Sequence, residues 1–206
     1  MDRSAFLKLL AARFYPVLRA EGFKGSGTAL RRHDGDFHHI VAVQGAAGGA
    51  GCYINLGAHI DFLPAEGGGP FDPATFDEPS CAFRMRLDAP DGPHWRYGAT
   101  EAEAQATVAA LLAAWGAQGQ AFFAGFTQAG RASQLEGLIA AREGSQVHAA
   151  HALLGARIAL HTGDAARAQR MATAALPRVP ERATALRAKL EALVATAGAA
   201  GGTLAP

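Results

Sequence analysis

The chain has 206 residues, half of them hydrophobic, with 19 basic and 18 acidic side chains and a net charge of +1. That is enough apolar material for one sizeable core plus a small appended unit, and it excludes both a disordered chain and a protein built around polyanion binding. No run of eighteen or more apolar residues free of charge occurs, and the N-terminal apolar run is broken by Lys8 and Arg13, so neither a membrane span nor a signal peptide is expected, and the expected location is cytoplasmic.

Phe6, Leu7, Leu10, Phe14, Val17 and Leu18 recur at three- and four-residue spacing, which predicts a helix over 3–20. Pro16 should kink or end it, and Gly22 should stop it. The period then changes from 3.6 to 2. Residues 28–33 and 37–44 read as two strands joined at Asp34-Gly35, a hairpin signal. The glycine-rich stretch 45–51 reads as a loop.

Residues 52–62 alternate most clearly. Cys52, Ile54, Leu56, Ala58, Ile60 and Phe62 fall on one face, and Tyr53, Asn55, Gly57, His59 and Asp61 on the other. Such alternation predicts an antiparallel sheet with one buried face. Gly57 marks a bulge or a close approach. A long loop is expected over 64–80. Residues 81–88 then place Cys81, Phe83, Met85 and Leu87 on the apolar side, and Arg84 and Arg86 on the polar side.

From Thr100 onward the pattern is helical. Thr100 with Glu103 and Ser133 with Glu136 read as capping boxes, and Gly116 and Gly119 as breaks between helices. Phe122, Phe123 and Phe126 are expected to bury between the sheet and the tail. Residues 145–197 read as three helices, with Asp164 capping the second and Pro180 in the first turn of the third. The expected fold class is α+β: an antiparallel sheet of about four strands packed on an N-terminal helix and following helices, with an all-α C-terminal extension. The expected divisions are 1–126, a helical extension over 127–198, and a flexible tail over 199–206.

The N-terminal helix ending in Gly22-Phe23, Arg31, Gln44, Asn55-Leu56-Gly57, Arg84-x-Arg86 and Trp95 together resemble the bacterial family known as domain of unknown function 4304, over about residues 5–125. The resemblance implies an antiparallel sheet with helices and no established activity. Some members of that family look like parts of toxin–immunity or interaction systems. Residues 149–180 resemble a single tetratricopeptide unit through Gly163-Asp164, Ala168, Ala175-Leu176 and Pro180. Alanines stand where that repeat has large aromatics, and one unit is too few for a solenoid. A helical hairpin completing the fold is the expectation.

The candidate binding surface is the polar sheet face: Tyr53, Asn55, His59, Asp61, Arg84 and Arg86, joined by His38 and Gln44. Arg84 and Arg86 can hold a carboxylate or phosphate, and His59 with Asp61 can move a proton. Ordinary cross-strand pairing accounts for the same residues. No catalytic set is evident. His38 and His39 are strand neighbours and point to opposite faces, so no metal site is expected, and no cofactor. His148 and His151 lack an acidic third ligand. Arg167, Arg170 and Arg178 form a weak basic stripe without interleaved aromatics, so nucleic acid is not the expected partner. The expectation is a non-enzymatic protein-interaction module, of immunity or accessory type, with a protein partner. The alternative is a small-molecule-binding protein or enzyme using the polar sheet face.

Overall fold

A computed structural model describes residues 1–66 and 68–202. The chain divides into two compact units, Met1–Ala129 and Gly130–Pro206.

The first unit opens with α1 (Arg3–Arg13) and α2 (Tyr15–Ala20). Asp2 caps α1 by accepting from the Ala5 amide at 2.8 Å. Pro16 divides the two helices as its missing N–H dictates. The strands follow: β1 (Lys24–Ser26), β2 (Ala29–Asp34), β3 (Phe37–Gly45), β4 (Gly51–Ile60), β5 (Phe83–Arg86) and β6 (Trp95–Arg96). They form one antiparallel sheet in the order β1-β2-β3-β4-β5, with β6 pairing β4 beside β5. This is the expected α+β sheet with two more strands than the periodicity reveals. β1 and β6 are three and two residues long, too short to show alternation.

The hairpin at Gly35 sets the register. Gly35 takes a φ of 59°, and Asp34 pairs with Phe37 across the two-residue turn. β3 and β4 then pair without interruption from Phe37↔Ile60 to Gly45↔Cys52. Gly57 therefore marks no bulge. A Cβ there would lie 2.8 Å from Cys81 Sγ and 2.8 Å from Ile40 Cγ2, so the glycine is a close-approach position.

One sheet face carries the main core. Val41, Val43, Ile54 and Leu56 meet Phe6, Leu10, Phe14 and Leu18 from α1 and α2. α3 (Glu101–Ala114) adds Val108 and Leu111 to the same core. Burying each such side chain contributes about 1.5–3 kcal/mol. The Thr100 cap is present: its hydroxyl accepts from Glu103 N at 3.2 Å, and the Glu103 carboxylate returns to the Ala99 amide.

Three expectations about the helices need correction. Gly116 and Gly119 do not break the helix; it runs from α3 through a π turn at Trp115–Gly119 into α4 (Gln120–Ala124). A Cβ at Gly119 would stand 2.4 Å from the Trp115 ring, so that glycine makes room for the indole. Ser133 is not a cap, because α5 (Arg131–Ala140) begins earlier and the Ser133 hydroxyl donates to the Gly130 carbonyl. Pro180 precedes the final helix rather than opening it.

In the second unit, α6 (Ala149–His161) and α7 (Ala165–Ala175) are joined at Gly163-Asp164, where Asp164 caps α7 through the Arg167 amide at 2.9 Å. α8 (Thr184–Gly202) completes it. Of the expected tail, 199–202 is the end of α8, and 203–206 lie outside the described residues. Ala156, Ala159, Ala168 and Ala172 are fully buried, which lets the helices approach closely. Arg167 is clamped by Glu136 and Glu143, with nitrogen–oxygen distances of 2.7 Å to each. Arg178 donates to the Ser145 carbonyl at 3.1 Å, so two of the three arginines of the basic stripe are engaged within their own unit.

Candidate functional site

The sheet face opposite the main core collects side chains from four strands. The pairing puts Gln44 opposite Tyr53, Asn55 opposite Arg86, Gly57 opposite Arg84, His38 opposite His59, and His33 opposite His38. The candidate residues share a face as the alternation requires. They do not form one surface. The segment between β4 and β5 lies over half of it, leaving an open half and a closed half.

The open half is a hydrogen-bonded chain. Asn55 Nδ2 donates to Gln44 Oε1 at 2.8 Å, and Arg86 Nε donates to Asn55 Oδ1 at 3.1 Å. The Arg86 guanidinium lies 3.9 Å from the centre of the Tyr53 ring, a cation–π contact. Tyr53 in turn meets the His94 ring. Asn55 is buried at 5% exposure, whereas Gln44 and Arg86 are exposed. Arg86 is thus fixed through one nitrogen and one face. Among the described residues neither of its Nη groups has a hydrogen-bond partner. Arg84, half exposed, stands 3.8 Å from Glu78. Burial pushes the Glu78 carboxyl up, and Arg84 and Arg86 oppose that shift. The chain therefore already supplies one acid to ease the repulsion between the two arginines. Both arginines keep donors to spare, and Arg86 is the one held in place, by Asn55 and the Tyr53 ring.

The closed half is packed by aromatics. Phe71 stacks on His59 with ring centres 3.8 Å apart, and Phe76 packs on both Phe71 and His38. Arg31 Nε donates to the Phe76 carbonyl at 2.7 Å and its guanidinium lies over the Phe76 ring, which ties the loop to the sheet. His59 is fully buried with both nitrogens used. Nε2–H donates to the Leu63 carbonyl at 3.0 Å, and Nδ1 accepts from the Ala82 amide at 3.1 Å. Burial holds its pKa down, with a smaller opposing effect from the Leu63 bond. His59 is a neutral structural group, and the expectation that it moves a proton with Asp61 is not met.

Asp61 pairs with His38 instead. Its carboxylate accepts from His38 Nε2, and His38 Nδ1 lies 2.5 Å from His33 Nδ1. His38 is 4% exposed, enclosed by Phe71, Phe76 and His33. His33 is exposed. This line of three groups was missed by periodicity because it runs across strands. The two-residue turn is Gly35-Asp36, one position after the Asp34-Gly35 signal, and that register places His33 opposite His38.

One more correction concerns Cys81. Cys81 does not point with Phe83 and Leu87, because β5 begins only at Phe83. Cys81 sits in the small cluster with Ile40 and Phe76 on the candidate face, its thiol raised to about 12 by burial. Cys52 lies in the main core, also raised to about 12 by burial. Neither is a thiolate at neutral pH. His39 faces the core side, where it accepts from Arg32 Nε at 3.0 Å and donates to the Phe126 carbonyl at 2.8 Å. Burial is the main cause of its pKa falling to about 4. Phe123 and Phe126 pack on this same unit, against Phe23, Phe37 and Phe83.

A cavity of about 460 Å³ opens between β6 and α3, lined by His94, Trp95, Arg96, Glu103, Thr107 and neighbours. It is not over the candidate face, since Tyr53, Asn55, His59, Arg84 and Arg86 do not line it. Among the described residues no group of three or more His, Cys, Asp or Glu is placed to hold a metal ion, and no helix is long and apolar enough to cross a membrane.

The sheet, α2 and α3–α4 coincide with a family match. Residues 14–124, more than half of the chain, match the domain of unknown function DUF4304. The chain belongs to this family. Within the DUF4304 match lie every residue of the open half and the whole His33–His38–Asp61 line. No curated protein and no solved structure matches the chain significantly.

Proposed function

We propose that this DUF4304 protein is a non-enzymatic protein-interaction module that contacts its partner through the open half of the sheet face. The observation that carries this is Arg86: stacked on Tyr53, tied to Asn55, and left with outward donors. A guanidinium held in this way loses little conformational freedom on pairing with a carboxylate, so a charge-assisted bond there is favoured. The partner is accordingly a protein that offers an acidic side chain. An immunity-type or accessory role is the family-level expression of this reading.

The test is capture from the native host by the wild type and by Arg84→Glu/Arg86→Glu, with binding of the captured protein then measured in purified form. Loss of binding by the double variant is expected, and unchanged binding removes the sheet face from the proposal. A second reading, a small-molecule-binding protein or enzyme on the same face, is favoured by one specific observation: the His33–His38–Asp61 line ends in an exposed imidazole. Chemical-shift changes at His33 on adding small carboxylates would support it, and their absence would argue against it.

A further inference from the structure

The strand order ends at β5, and β6 pairs with β4 rather than with β5, so β5 has an outer edge. Its register decides which way each backbone group points. The Leu87 amide donates to the Ile54 carbonyl at 2.8 Å, in a ladder that sets Arg86 opposite Asn55 and Arg84 opposite Gly57. Bonded and non-bonded pairs alternate in an antiparallel ladder. Phe83, Met85 and Leu87 therefore face β4 with their backbone groups, and Arg84 and Arg86 turn both amide and carbonyl outward. The next outward amide, that of Asp88, is taken by Gln118 Oε1 at 3.3 Å. Among the described residues the amides and carbonyls of Arg84 and Arg86 have no hydrogen-bond partner. The opposite end of the sheet is blunted. There β1 has three residues, Gly25 takes a φ of 125°, and its carbonyl accepts from Arg19 Nη2 at 3.5 Å.

We propose that β5 takes up an acidic, extended segment of the partner protein as a further antiparallel strand. This rests on the Arg86 reading above and gives the form of the partner. In an antiparallel pair, the residue opposite Arg84 or Arg86 exchanges two backbone hydrogen bonds with it and puts its side chain on the same sheet face. Both arginines are exposed on that face. Carboxylates at alternate positions of the added strand therefore stand beside the two guanidiniums. Glu78 is 3.8 Å from Arg84, too far for a hydrogen bond, so it leaves the donors of both arginines available. The residue between the two carboxylates lies over the other face, beside Met85, which is half-buried against the main core, so an apolar residue suits that position. The backbone bonds supply affinity, and the alternation of acidic and apolar side chains supplies specificity. A second copy of this chain is not the occupant, because two β5 edges paired antiparallel set arginine against arginine.

The probe is the peptide acetyl-Thr-Glu-Val-Glu-Val-Thr-amide, titrated into the full chain. It is compared with one copy N-methylated at both glutamates and another N-methylated at both valines. The glutamate nitrogens face β5 in the added strand and the valine nitrogens face away from it. The valine-methylated peptide should bind as the unmodified one does. The glutamate-methylated peptide should bind more weakly on the order of tenfold, the effect of losing two backbone hydrogen bonds. With the unmodified peptide at saturation, hydrogen exchange at the Arg84 and Arg86 amides should slow on the order of tenfold, and exchange at Asp88 should not change. Replacing both glutamates by glutamine should also weaken binding on the order of tenfold. Equal binding by the two methylated peptides overturns strand addition, as does unchanged exchange at Arg84 and Arg86 in the bound state or no binding of the unmodified peptide. If the methylated peptides bind equally while Arg84→Glu/Arg86→Glu still loses the unmodified peptide, strand addition fails and the Arg86 reading stands. If the double variant binds the peptide as the wild type does, both fail.

Discussion

The two halves of one sheet face share strands, alternation and polarity, yet they have opposite fates. At the Gln44–Tyr53–Asn55–Arg86 end the polar groups bond to one another and keep donors for solvent. At the His38–His59 end the same strands are covered by Phe71, Phe76 and the turn Glu78–Ser80. The polar groups there bond inward, and the buried imidazole of His59 is neutral because burial penalises its charge. A polar face in the sequence is therefore not yet a surface. What lies on it is decided by a segment without periodicity.

The largest expected effect falls on the closed half. Phe76 is buried at 4% exposure and joins the loop to His38, Phe71 and Arg31. Phe76→Ala should cost about 3–5 kcal/mol in denaturant-unfolding stability. Arg86→Ala should change stability by less than about 1 kcal/mol, since its side chain is exposed. Equal losses at both positions would erase the distinction between the halves.

Acid should act on the buried histidines next. His39 has a folded pKa of about 4 against an ordinary 6.5, so the unfolded chain binds the proton more readily. The stability from keeping it neutral is present above about pH 6.5 and is lost as pH falls toward 4, amounting to about 3 kcal/mol. His59, lowered in the same direction, adds to the same loss. Urea midpoints measured from pH 7 to pH 4 should fall steadily, and a flat profile would mean these imidazoles are not held neutral. Gly57→Ala should cost about 1–3 kcal/mol, because its Cβ meets Cys81 Sγ and Ile40. Cys81→Ala in the same chain should recover part of that loss, by the same unfolding measurement.

The long strands, the hairpin and the helices were legible because their residues alternate or recur over enough positions to define a face. The short β1 and β6 were not, and neither was the π turn, which depends on the fit of Gly119 to Trp115. At the candidate site the face was legible from Tyr53, Asn55, Arg84 and Arg86. The identity of Asp61's partner was not, because alternation groups it with His59 on its own strand, whereas its hydrogen bond crosses to His38. Cys81 was misplaced because an alternating pattern was extended two residues beyond the strand that carries it. The covering of His59 by Phe71 depends on loop geometry that no local pattern encodes.

The most direct measurement is partner binding, in purified form, by the two halves separately: Arg86→Glu against His33→Gln. The account predicts that Arg86→Glu loses the partner while His33→Gln binds as the wild type does. Wild-type binding by Arg86→Glu would contradict it.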